Sequence, residues 1–309
     1  MTKNYIFGPL RSRRLGFSLG VDLVPYKTCS LDCPYCQLGR TTHKSIERCP
    51  YGSPDAIIAQ LSHVLEEKQK IDYITLSGSG EPTLSSHLGT IISRIKELTA
   101  IPLAVLTNGT LLHQEAVRDE LSLADVVVPS LDAVTEKVFR AVNQPHPLLT
   151  ASQMLSGLEH FRKVYTGQLW LEIMLVKGIN DGRDELERIS EVVSSIAFDK
   201  VQLNTPVRPA ADKTVEPLTA AELERIRDHM GSGCEVIAGS REKQHGVESG
   251  IEERIMTVLS RRPLNLPEIA DSLGIPPGRV TKHLCHLEGQ GRITSRHYGS
   301  ELYYQAKRS

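Results

Sequence analysis

The stretch Lys27–Cys36, KTCSLDCPYC, organises this chain, and we call it the cysteine loop. It places Cys29, Cys33 and Cys36 at C-x3-C-x2-C spacing, directly after an apolar run at 19–24 and a loop-forming proline. Such close spacing allows three thiolates to converge on one metal centre. Iron–sulfur clusters usually take four cysteines, so three leave one iron open to a substrate or cofactor. The alternative is a structural zinc loop, but zinc sites normally close with four ligands, and no C-x2-C or H-x3-H partner follows.

The composition is globular, and nothing in it indicates a membrane protein. Of 309 residues, 40% are hydrophobic and 24% are charged, and the formal net charge of -1 identifies no partner. No apolar run approaches the ~20 residues that span a bilayer, and the N-terminus lacks the apolar core of a signal peptide. We therefore expect a cytoplasmic protein without membrane contact.

Six cysteines in a cytoplasmic chain favour metal binding or catalysis over disulfides. Three of them, Cys49, Cys234 and Cys285, lie far apart in the sequence. We predict that each of these three is a small apolar packing residue. The alternative is an auxiliary cluster, for which Cys49 is the best-placed ligand because it lies nearest to the cysteine loop.

Strand and helix patterns alternate through residues 1–240. Apolar runs predict strands at 17–24, 71–77, 103–107, 125–131, 168–176 and 200–204, with one more short strand at 234–238. Apolar spacing predicts helices at 54–68, 88–98, 114–121, 135–142, 150–165, 184–196 and 219–230. Repeated β/α units imply a parallel sheet covered by helices, and six units are fewer than the eight of a closed barrel. The predicted fold class is therefore α/β, with a partial (β/α)6 barrel over residues 1–240.

A polar loop follows each predicted strand, which is where β/α barrels carry their chemistry. In the second of these, Ser77–Thr83, which we call the glycine loop, glycines allow the backbone to approach a ligand closely. Glu172 lies inside the fifth strand, where a lumenal carboxylate needs a partner such as a ribose hydroxyl or an arginine. The candidate ligand-binding residues are Tyr35, Gly78, Ser79, Gly80, Glu81, Asn108, Ser130, Asp132 and Glu172.

Several of these residues have a purely structural alternative. Ser130, Asp132 and Asn108 are also suited to capping a turn. For Glu81 the alternative is catalytic, since it could act on its own as a general acid or base. Upstream, the segment Gly8–Gly16 holds three arginines. They are suited to binding a phosphate or a carboxylate, or they belong to a solvated loop that closes the bottom of the fold.

The remaining residues have a different pattern. Residues 241–250 are polar and contain glycine, which is typical of a linker. Residues 251–309 carry predicted helices at 251–259, 266–273 and 278–288, and a predicted hairpin of strands at 292–297 and 301–304. This order resembles a small α+β winged helix-turn-helix domain. It holds nine Lys/Arg against six Asp/Glu, and contact with nucleic acid, contact with a protein and packing alone all remain open.

Together these motifs resemble the radical S-adenosylmethionine (SAM) superfamily, and within it the iron–sulfur oxidoreductases similar to the wyosine-tRNA-modifying enzymes. The resemblance covers residues 4–210. The stretches that carry it are 12–16, 29–36, 77–84, 130–133, 142–145 and 202–205. One departure is that the second cysteine triad, which the wyosine enzymes use for an additional cluster, does not precede this barrel.

The resemblance implies an enzyme with two cofactors, a [4Fe–4S] cluster and SAM. Cys29, Cys33 and Cys36 would hold three irons, and the fourth would chelate the amino and carboxylate groups of SAM. One electron would split the sulfonium into methionine and a 5′-deoxyadenosyl radical. That radical would take hydrogen from an unreactive C–H bond of a nucleic acid or a small metabolite. An electron donor such as flavodoxin or ferredoxin is implied as a partner.

The resemblance also implies residue roles. The segment Gly78–Glu81 would bind the ammonium of SAM, Ser130 would contact its carboxylate or ribose, and Tyr35 would lie near the adenine. Asp132 would face the substrate. The alternative function is a cluster-dependent transcription regulator that binds DNA through the winged helix, although a regulator needs no barrel cavity.

Overall fold

The computed structural model describes residues 4–67, 69–231, 233–238 and 251–307, so the predicted linker at 241–250 lies outside the described residues. The strands up to residue 238 are β1 (Ile6–Ser12), β2 (Gly16–Val21), β3 (Thr28–Cys29), β4 (His43–Lys44), β5 (Tyr73–Leu76), β6 (Leu103–Thr107), β7 (Val126–Pro129), β8 (Gln168–Met174), β9 (Lys200–Asn204) and β10 (Cys234–Val236). The helices there are α1 (Pro54–Glu66), α2 (Leu88–Leu98), α3 (Glu115–Leu121), α4 (Glu136–Val142), α5 (Ala151–Val164), α6 (Arg183–Ser195) and α7 (Ala220–Met230), with a 3-10 turn at Pro82–Leu84.

Eight of these strands form one sheet in the order β1-β2-β5-β6-β7-β8-β9-β10. From β2 to β10 every neighbouring pair is parallel. Helices connect successive parallel strands, so the α/β fold with a parallel sheet that the alternation predicts is confirmed. β10 corresponds to the predicted short strand at 234–238, and it extends the sheet beyond the six main units.

The sequence does not predict β1, which pairs antiparallel with β2. Its sequence, IFGPLRS, contains Gly8 and Pro9, and its register with β2 shifts between Phe7 and Leu10. These features hide the period-two alternation by which a strand is recognised. The arginine-rich segment Gly8–Gly16 is therefore not an open loop, because Arg11 lies in β1 and Arg13 and Arg14 form the turn of a hairpin with β2.

Some helices begin at capping residues that the sequence supplies. α1 starts after Ser53, whose hydroxyl accepts a hydrogen bond from the Ala56 N–H. α5 starts with a capping box in which Thr150 and Gln153 bond each other's backbone N–H. No helix in the described ranges combines the length and the apolar composition needed to cross a membrane.

The sheet has two faces with different packing. Its outer face shares one large apolar core with the helices. A separate apolar cluster on the inner face comprises Leu15, Ala104, Val126, Val128 and Trp170. Leu15 comes from the turn between β1 and β2 and closes the floor of the barrel. Successive side chains of a strand point to opposite faces of the sheet, and those that reach the rim on the inner face are polar.

Residues 251–307, which we call the C-terminal module, contain three helices and a small sheet. The elements are α8 (Ile251–Leu259), β11 (Leu264–Asn265), α9 (Leu266–Leu273), α10 (Pro277–Gly289), β12 (Ile293–Tyr298) and β13 (Glu301–Ala306). The sheet is antiparallel in the order β11-β13-β12. The three helices and the hairpin occur where the sequence predicts them, whereas β11 is too short to produce a periodic pattern. Assignment of this module to the winged helix-turn-helix class stays a prediction.

The C-terminal module packs against β1 and against the loop after β9. Leu10 of β1 lies within the apolar core of the module, whereas Ile6 of the same strand belongs to the barrel core. The Tyr303 hydroxyl donates to the Val207 carbonyl oxygen at 2.9 Å. The barrel and the module therefore share both apolar and polar contacts.

A substitution at Gly157 tests how closely α5 packs against the loop after β6. A Cβ at this position would lie 2.5 Å from His113 N and 2.6 Å from Leu112 C, both of them backbone atoms. In an exposed helix, replacing glycine by alanine stabilises by about 1 kcal/mol. Here we expect Gly157→Ala to lower the free energy of unfolding by about 1–3 kcal/mol, because the backbone must move to admit the methyl group. Urea denaturation measures the change.

The matched control is Gly278→Ala in α10, where an added Cβ meets nothing within 4 Å. We expect its free energy of unfolding to stay the same or rise by a few tenths of a kcal/mol, about what first-turn helix propensity allows. If both variants proved as stable as the parent protein, the close packing of α5 on the loop after β6 would be wrong.

Candidate active site

The cysteine loop leaves the sheet directly after β2 and is held against the glycine loop by two backbone hydrogen bonds. The Lys27 N–H donates to the Ser79 carbonyl oxygen at 2.6 Å, and the Glu81 N–H donates to the Thr28 carbonyl oxygen at 3.0 Å. Lys27 has a φ of 53°, which residues other than glycine rarely adopt. Such strain persists where surrounding contacts fix the backbone, so the two loops form one rigid unit.

Two glycines make this close contact possible. A Cβ on Gly80 would lie 2.0 Å from the Thr28 carbonyl oxygen. Gly78 has a φ of 134°, and a Cβ there would lie 2.9 Å from Asp22 Cγ. Both positions therefore require glycine because of the chain's own packing. The predicted contact of this loop with the ammonium of SAM stays a prediction beside that structural role.

Ser79, between these glycines, is bonded within the chain. Its N–H donates to Asp22 Oδ1 at 3.1 Å and its hydroxyl donates to Asp22 Oδ2. Arg261 of the C-terminal module donates to the same carboxylate and, at 2.7 Å, to Ser79 Oγ. Asp22 is only 2% exposed. The module thus contacts the back of the glycine loop, and the side chain of Ser79 is not directed at a ligand.

Glu81 joins the glycine loop to the loop after β6. Its buried carboxylate accepts bonds from the Thr83 N–H and hydroxyl (3.1 and 2.7 Å), the Thr107 hydroxyl (2.6 Å) and the Asn108 N–H (2.7 Å). Burial raises the pKa of Glu81, and these bonds counteract part of the rise. With both oxygens bonded, Glu81 fixes the backbone of two rim loops, and the structure does not favour a free general acid or base.

Each cysteine sulfur of the loop faces at least one side-chain donor. The pairs are Lys27 Nζ with Cys36 Sγ (3.1 Å), Asn108 Nδ2 with Cys29 Sγ (3.5 Å) and Asn143 Nδ2 with Cys33 Sγ (3.6 Å). Burial by itself would lower the pKa of Lys27, but the adjacent sulfurs raise it overall. A cation and amide donors stabilise sulfur in its anionic form. These side chains therefore suit thiolates that ligate a metal centre.

Two of the three thiols are strongly affected by burial. Burial raises the pKa of the Cys29 thiol to about 12, and it also raises the pKa of Cys33. For Cys29 and Cys33 this favours the neutral thiol, and a bound metal cation favours the thiolate. In the described part of the chain, no three ligating side chains converge closely enough for one ion.

Tyr35 and Asp132 are bonded to each other. The Tyr35 hydroxyl donates to Asp132 Oδ2, which also accepts from Asn143 Nδ2 at 2.7 Å. Asp132 Oδ1 accepts from the Met174 N–H at 2.9 Å. Burial raises the pKa of Asp132 to about 6, against the lowering effect of these bonds. Asp132 thus ties the cysteine loop to β8, and its predicted contact with a substrate stays a prediction.

One acceptor in this network has no donor. Asn143 Oδ1 is buried and has no hydrogen-bond partner among the residues that the structure describes. An unpaired buried acceptor is costly, and a donor on a bound ligand, such as the ammonium of SAM, would satisfy it. The donor set around the sulfurs and this acceptor therefore both fit the two expected cofactors.

Glu172 faces the lumen from β8, and its partner is an arginine, one of the two groups considered from sequence. Arg14 Nη1 and Nη2 donate to its two oxygens at 2.8 and 2.6 Å, and Asn204 Nδ2 donates at 2.9 Å. Burial by itself would raise the pKa of Glu172, but the guanidinium holds it below its usual value. Ser130 lies beside Glu172 across an isolated bridge between the strands, as a rim position requires.

Sequence reasoning did not select Lys27 or Asn143 as site residues, and it named Arg14 only as one of three arginines suited to binding an anion. Lys27 lies directly before the cysteine triad, and Asn143 lies in the stretch 142–145 that carries part of the family resemblance. Their nearness to recognisable motifs was the available signal. Arg14 gave no such signal for Glu172, because the two residues are far apart in sequence and meet only when the β1–β2 turn enters the lumen.

Comparison with known proteins gives concordant results. Residues 23–191 match the radical SAM superfamily. The chain is 32% identical over 311 residues to a UPF0026 protein of Methanocaldococcus jannaschii, covering 96% of this chain and 94% of that protein. It is 38% identical over 303 residues to a Brachyspira hyodysenteriae protein named GTPase Obg, covering 97% of this chain but 45% of that protein, so it spans less than half of that relative.

The similarity extends to solved structures. A radical SAM methyltransferase from Sphaerobacter thermophilus superposes with a TM-score of 0.56 at 17% identity, over 73% of this chain and 67% of that one. At this identity the likeness concerns the fold alone. It is the same fold that the alternation of strands and helices predicts.

Gly80→Ala tests the contact between the cysteine and glycine loops. The added methyl group would collide with the Thr28 carbonyl oxygen, so one loop must shift and the three sulfurs lose their relative positions. We expect the reconstituted variant to hold less than about half the iron and sulfide of the parent protein, since misplacing a ligand weakens a metal site severalfold or more. Iron and sulfide assays with the visible absorbance measure this.

The control for this experiment is Gly182→Ala, which lies at the N-cap of α6 near the same rim. Its φ of -68° suits any residue, and an added Cβ meets nothing within 4 Å. Full iron content is expected for this variant. Full iron content in Gly80→Ala as well would contradict the tight apposition of the two loops.

Proposed function

The chain belongs to the radical SAM superfamily, and we propose that it uses this rim to start radical chemistry on a substrate held in the barrel lumen. It is an enzyme of the radical SAM class, with a [4Fe–4S] cluster and SAM as its cofactors. The observation that carries the proposal is the trio of cysteine sulfurs, each facing its own donor, beyond the end of the first parallel strand. When bound, the cluster supplies the electron that splits SAM into methionine and a 5′-deoxyadenosyl radical.

In this proposal, the chain's own residues bind the cluster, offset its negative charge and shield the radical from water. Cys29, Cys33 and Cys36 are the thiolate ligands of three irons. Lys27 places a positive charge beside Cys36 and offsets the negative charge of the thiolates. Leu15 seals the floor of the lumen, so a reactive radical formed at the rim is protected from water on that side.

The substrate in this proposal is a nucleic acid or a small metabolite that loses a hydrogen atom from a C–H bond. The lumen wall offers Glu172 with Arg14, and Ser130 beside them, as polar groups to orient it. The C-terminal module supplies a second contact surface for a nucleic acid or a protein. On α10, His283 and His286 both bond Glu252 of α8, so the exposed Lys282 of that helix is better placed to meet phosphates.

The proposal also needs an electron donor, and a flavodoxin or ferredoxin is the class of partner that we propose. The half-exposed Cys36 brings the cysteine loop to the surface, where the electron carrier docks in this proposal. The exposed Arg40 of the segment that follows is paired with Asp32 and Asp212, so it adds no net positive charge there. A cluster-dependent transcription regulator, the alternative considered from sequence, gains no support from the relatives and structures found.

The decisive test is anaerobic reductive cleavage of SAM. After reconstitution with iron and sulfide and reduction with dithionite, the parent protein is expected to form 5′-deoxyadenosine. Cys33→Ala should fall to the background of the protein-free reaction, because two thiolates hold the cluster poorly. Cys285→Ala, which removes an exposed cysteine of α10, is the matched control and should cleave SAM as the parent does. Liquid chromatography of the nucleoside measures all three.

A reconstituted protein that carries its cluster but forms no 5′-deoxyadenosine would contradict the proposed activity. Equal iron content in Cys33→Ala and in the parent protein would contradict the ligand assignment alone.

Arg261→Met tests whether the C-terminal module supports the glycine loop. The substitution leaves the buried Asp22 carboxylate without its counter-charge, and removing one partner of a buried pair costs about 3 kcal/mol or more. We expect a loss of unfolding free energy of this order, measured by chemical denaturation. The double variant Asp22→Asn, Arg261→Met removes both charges and should recover a large part of the loss. No recovery would mean that the two residues are not coupled.

A further inference from the structure

The arginine-rich turn between β1 and β2 closes the open side of the barrel. The two edges of the main sheet are β1 and β10. Arg13, in the turn after β1, donates to Asn204 Oδ1 at 3.1 Å and to the carbonyl oxygen of Ile237, next to β10, at 3.4 Å. The turn therefore crosses from one edge of the sheet to the other.

A cavity of about 610 Å³ lies between this turn, the loop after β9 and the C-terminal module. Its charged lining consists of Arg11, Arg13, Arg14, Arg208, Arg262, Glu268 and Asp271. The volume lies within the range of pockets that hold small ligands. Arginine thus outnumbers acid in a space of ligand size.

Two of the arginines have carboxylate partners. Arg208 pairs with Glu268 at 2.6 Å, and Arg14 pairs with Glu172 at 2.6 Å. Of the rest of the lining, Arg11 and Asp271 carry opposite charges. Within the described ranges, Arg13 bonds only the neutral oxygens of Asn204 and Ile237, and no carboxylate pairs with Arg262. Two positive charges in the cavity are therefore left uncompensated.

Among the residues that the structure describes, Arg262 forms no ion pair, and Glu268, whose charge raises its pKa, is the partner of Arg208. The buried Nε of Arg262, like that of Arg208, has no acceptor among the residues that the structure describes. Burial, followed by repulsion from Arg208, lowers the pKa of Arg262 to about 9, and the same causes lower that of Arg13 to about 10. A guanidinium stays protonated at neutral pH. The charged side chains are therefore held at a cost that a bound anion would offset.

The cavity is connected to the lumen by hydrogen bonds. Arg13 bonds Asn204, Asn204 bonds Glu172, and Glu172 bonds Arg14, which lines the cavity. Glu172 lies beside Ser130 at the rim. The network therefore links an anion seated among the arginines to the lumenal carboxylate Glu172 through Arg14.

We propose that this cavity binds a phosphate group of the substrate, with Arg13 and Arg262 as its principal ligands. Two uncompensated guanidinium groups match the double negative charge of a phosphomonoester, and the guanidinium fork matches phosphate oxygens in geometry. The inference rests on the proposed function, because it names the chemical group by which the substrate of that radical chemistry is anchored.

The test uses the full-length protein without cluster or SAM. Thermal unfolding is followed in sodium phosphate and in sodium chloride of the same ionic strength, and titration calorimetry gives the affinity for phosphate. The parent protein is expected to melt higher in phosphate. Arg262→Met should melt higher than the parent in chloride, because a buried unpaired charge is gone. Its melting temperature should no longer be higher in phosphate than in chloride, and it should bind phosphate about tenfold more weakly or worse.

Arg225→Met is the matched control, since Arg225 is exposed on α7. It should keep the gain from phosphate. The inference is overturned if the melting temperature of the parent protein is no higher in phosphate than in chloride. It is also overturned if Arg262→Met melts lower in chloride and keeps the parent's gain, because Arg262 would then be a packing residue.

Two further titrations distinguish the source of the phosphate. Binding of adenosine 5′-monophosphate but not adenosine, lost in Arg262→Met, indicates a phosphomonoester. Binding of an RNA oligonucleotide without a terminal phosphate, with the same dependence on Arg262, indicates a backbone phosphodiester. A protein that cleaves SAM but gains nothing from phosphate contradicts only this inference. A protein that binds phosphate but does not cleave SAM contradicts only the proposed function.

Discussion

The contact between the cysteine loop and the glycine loop is the constraint on which the rest of the site depends. Gly80 brings its backbone against the Thr28 carbonyl oxygen, and Lys27 adopts a left-handed conformation to complete the second backbone bond. Loops at a barrel rim are ordinarily free to move. Here each loop supports the other, so contacts within the chain help to fix the positions of the three cysteines. Preorganisation of this kind lowers the cost of assembling a metal site.

Buried carboxylates connect the neighbouring loops around the rim of the barrel. Glu81 joins the glycine loop to the loop after β6, Asp132 joins the cysteine loop to β8, and Glu172 joins β8 to the β1–β2 turn. Each carboxylate accepts several hydrogen bonds, which is the condition under which a buried charge is tolerated. These acids, which sequence reasoning assigned to ligand binding, are thus explained first by the support that they give to neighbouring loops.

The C-terminal module is part of this support. Arg261 compensates the buried Asp22 behind the glycine loop, and Leu10 of the barrel lies in the core of the module. The sequence suggests a separate docking domain after a linker, whereas the contacts show a module that also completes the barrel's own electrostatics. The cavity between the two parts is a direct result of that arrangement, because neither part alone brings Arg13 and Arg262 together.

The sequence by itself determined the alternation of strands and helices, the cysteine triad and the rim position of the candidate residues, since these depend on local spacing and on the polarity of parallel strands. It did not determine β1, whose glycine and proline interrupt the alternation, or the partners of Glu172 and Asp22, which lie far away in the chain. Only the tertiary structure decided that Gly80 serves contact between two loops and that the arginines of the β1–β2 turn face a cavity. Pairing between residues that are far apart in the chain produces no periodic pattern in a single sequence. Such pairs form in the folded protein because a charge or a backbone polar group can be buried only where it finds a partner.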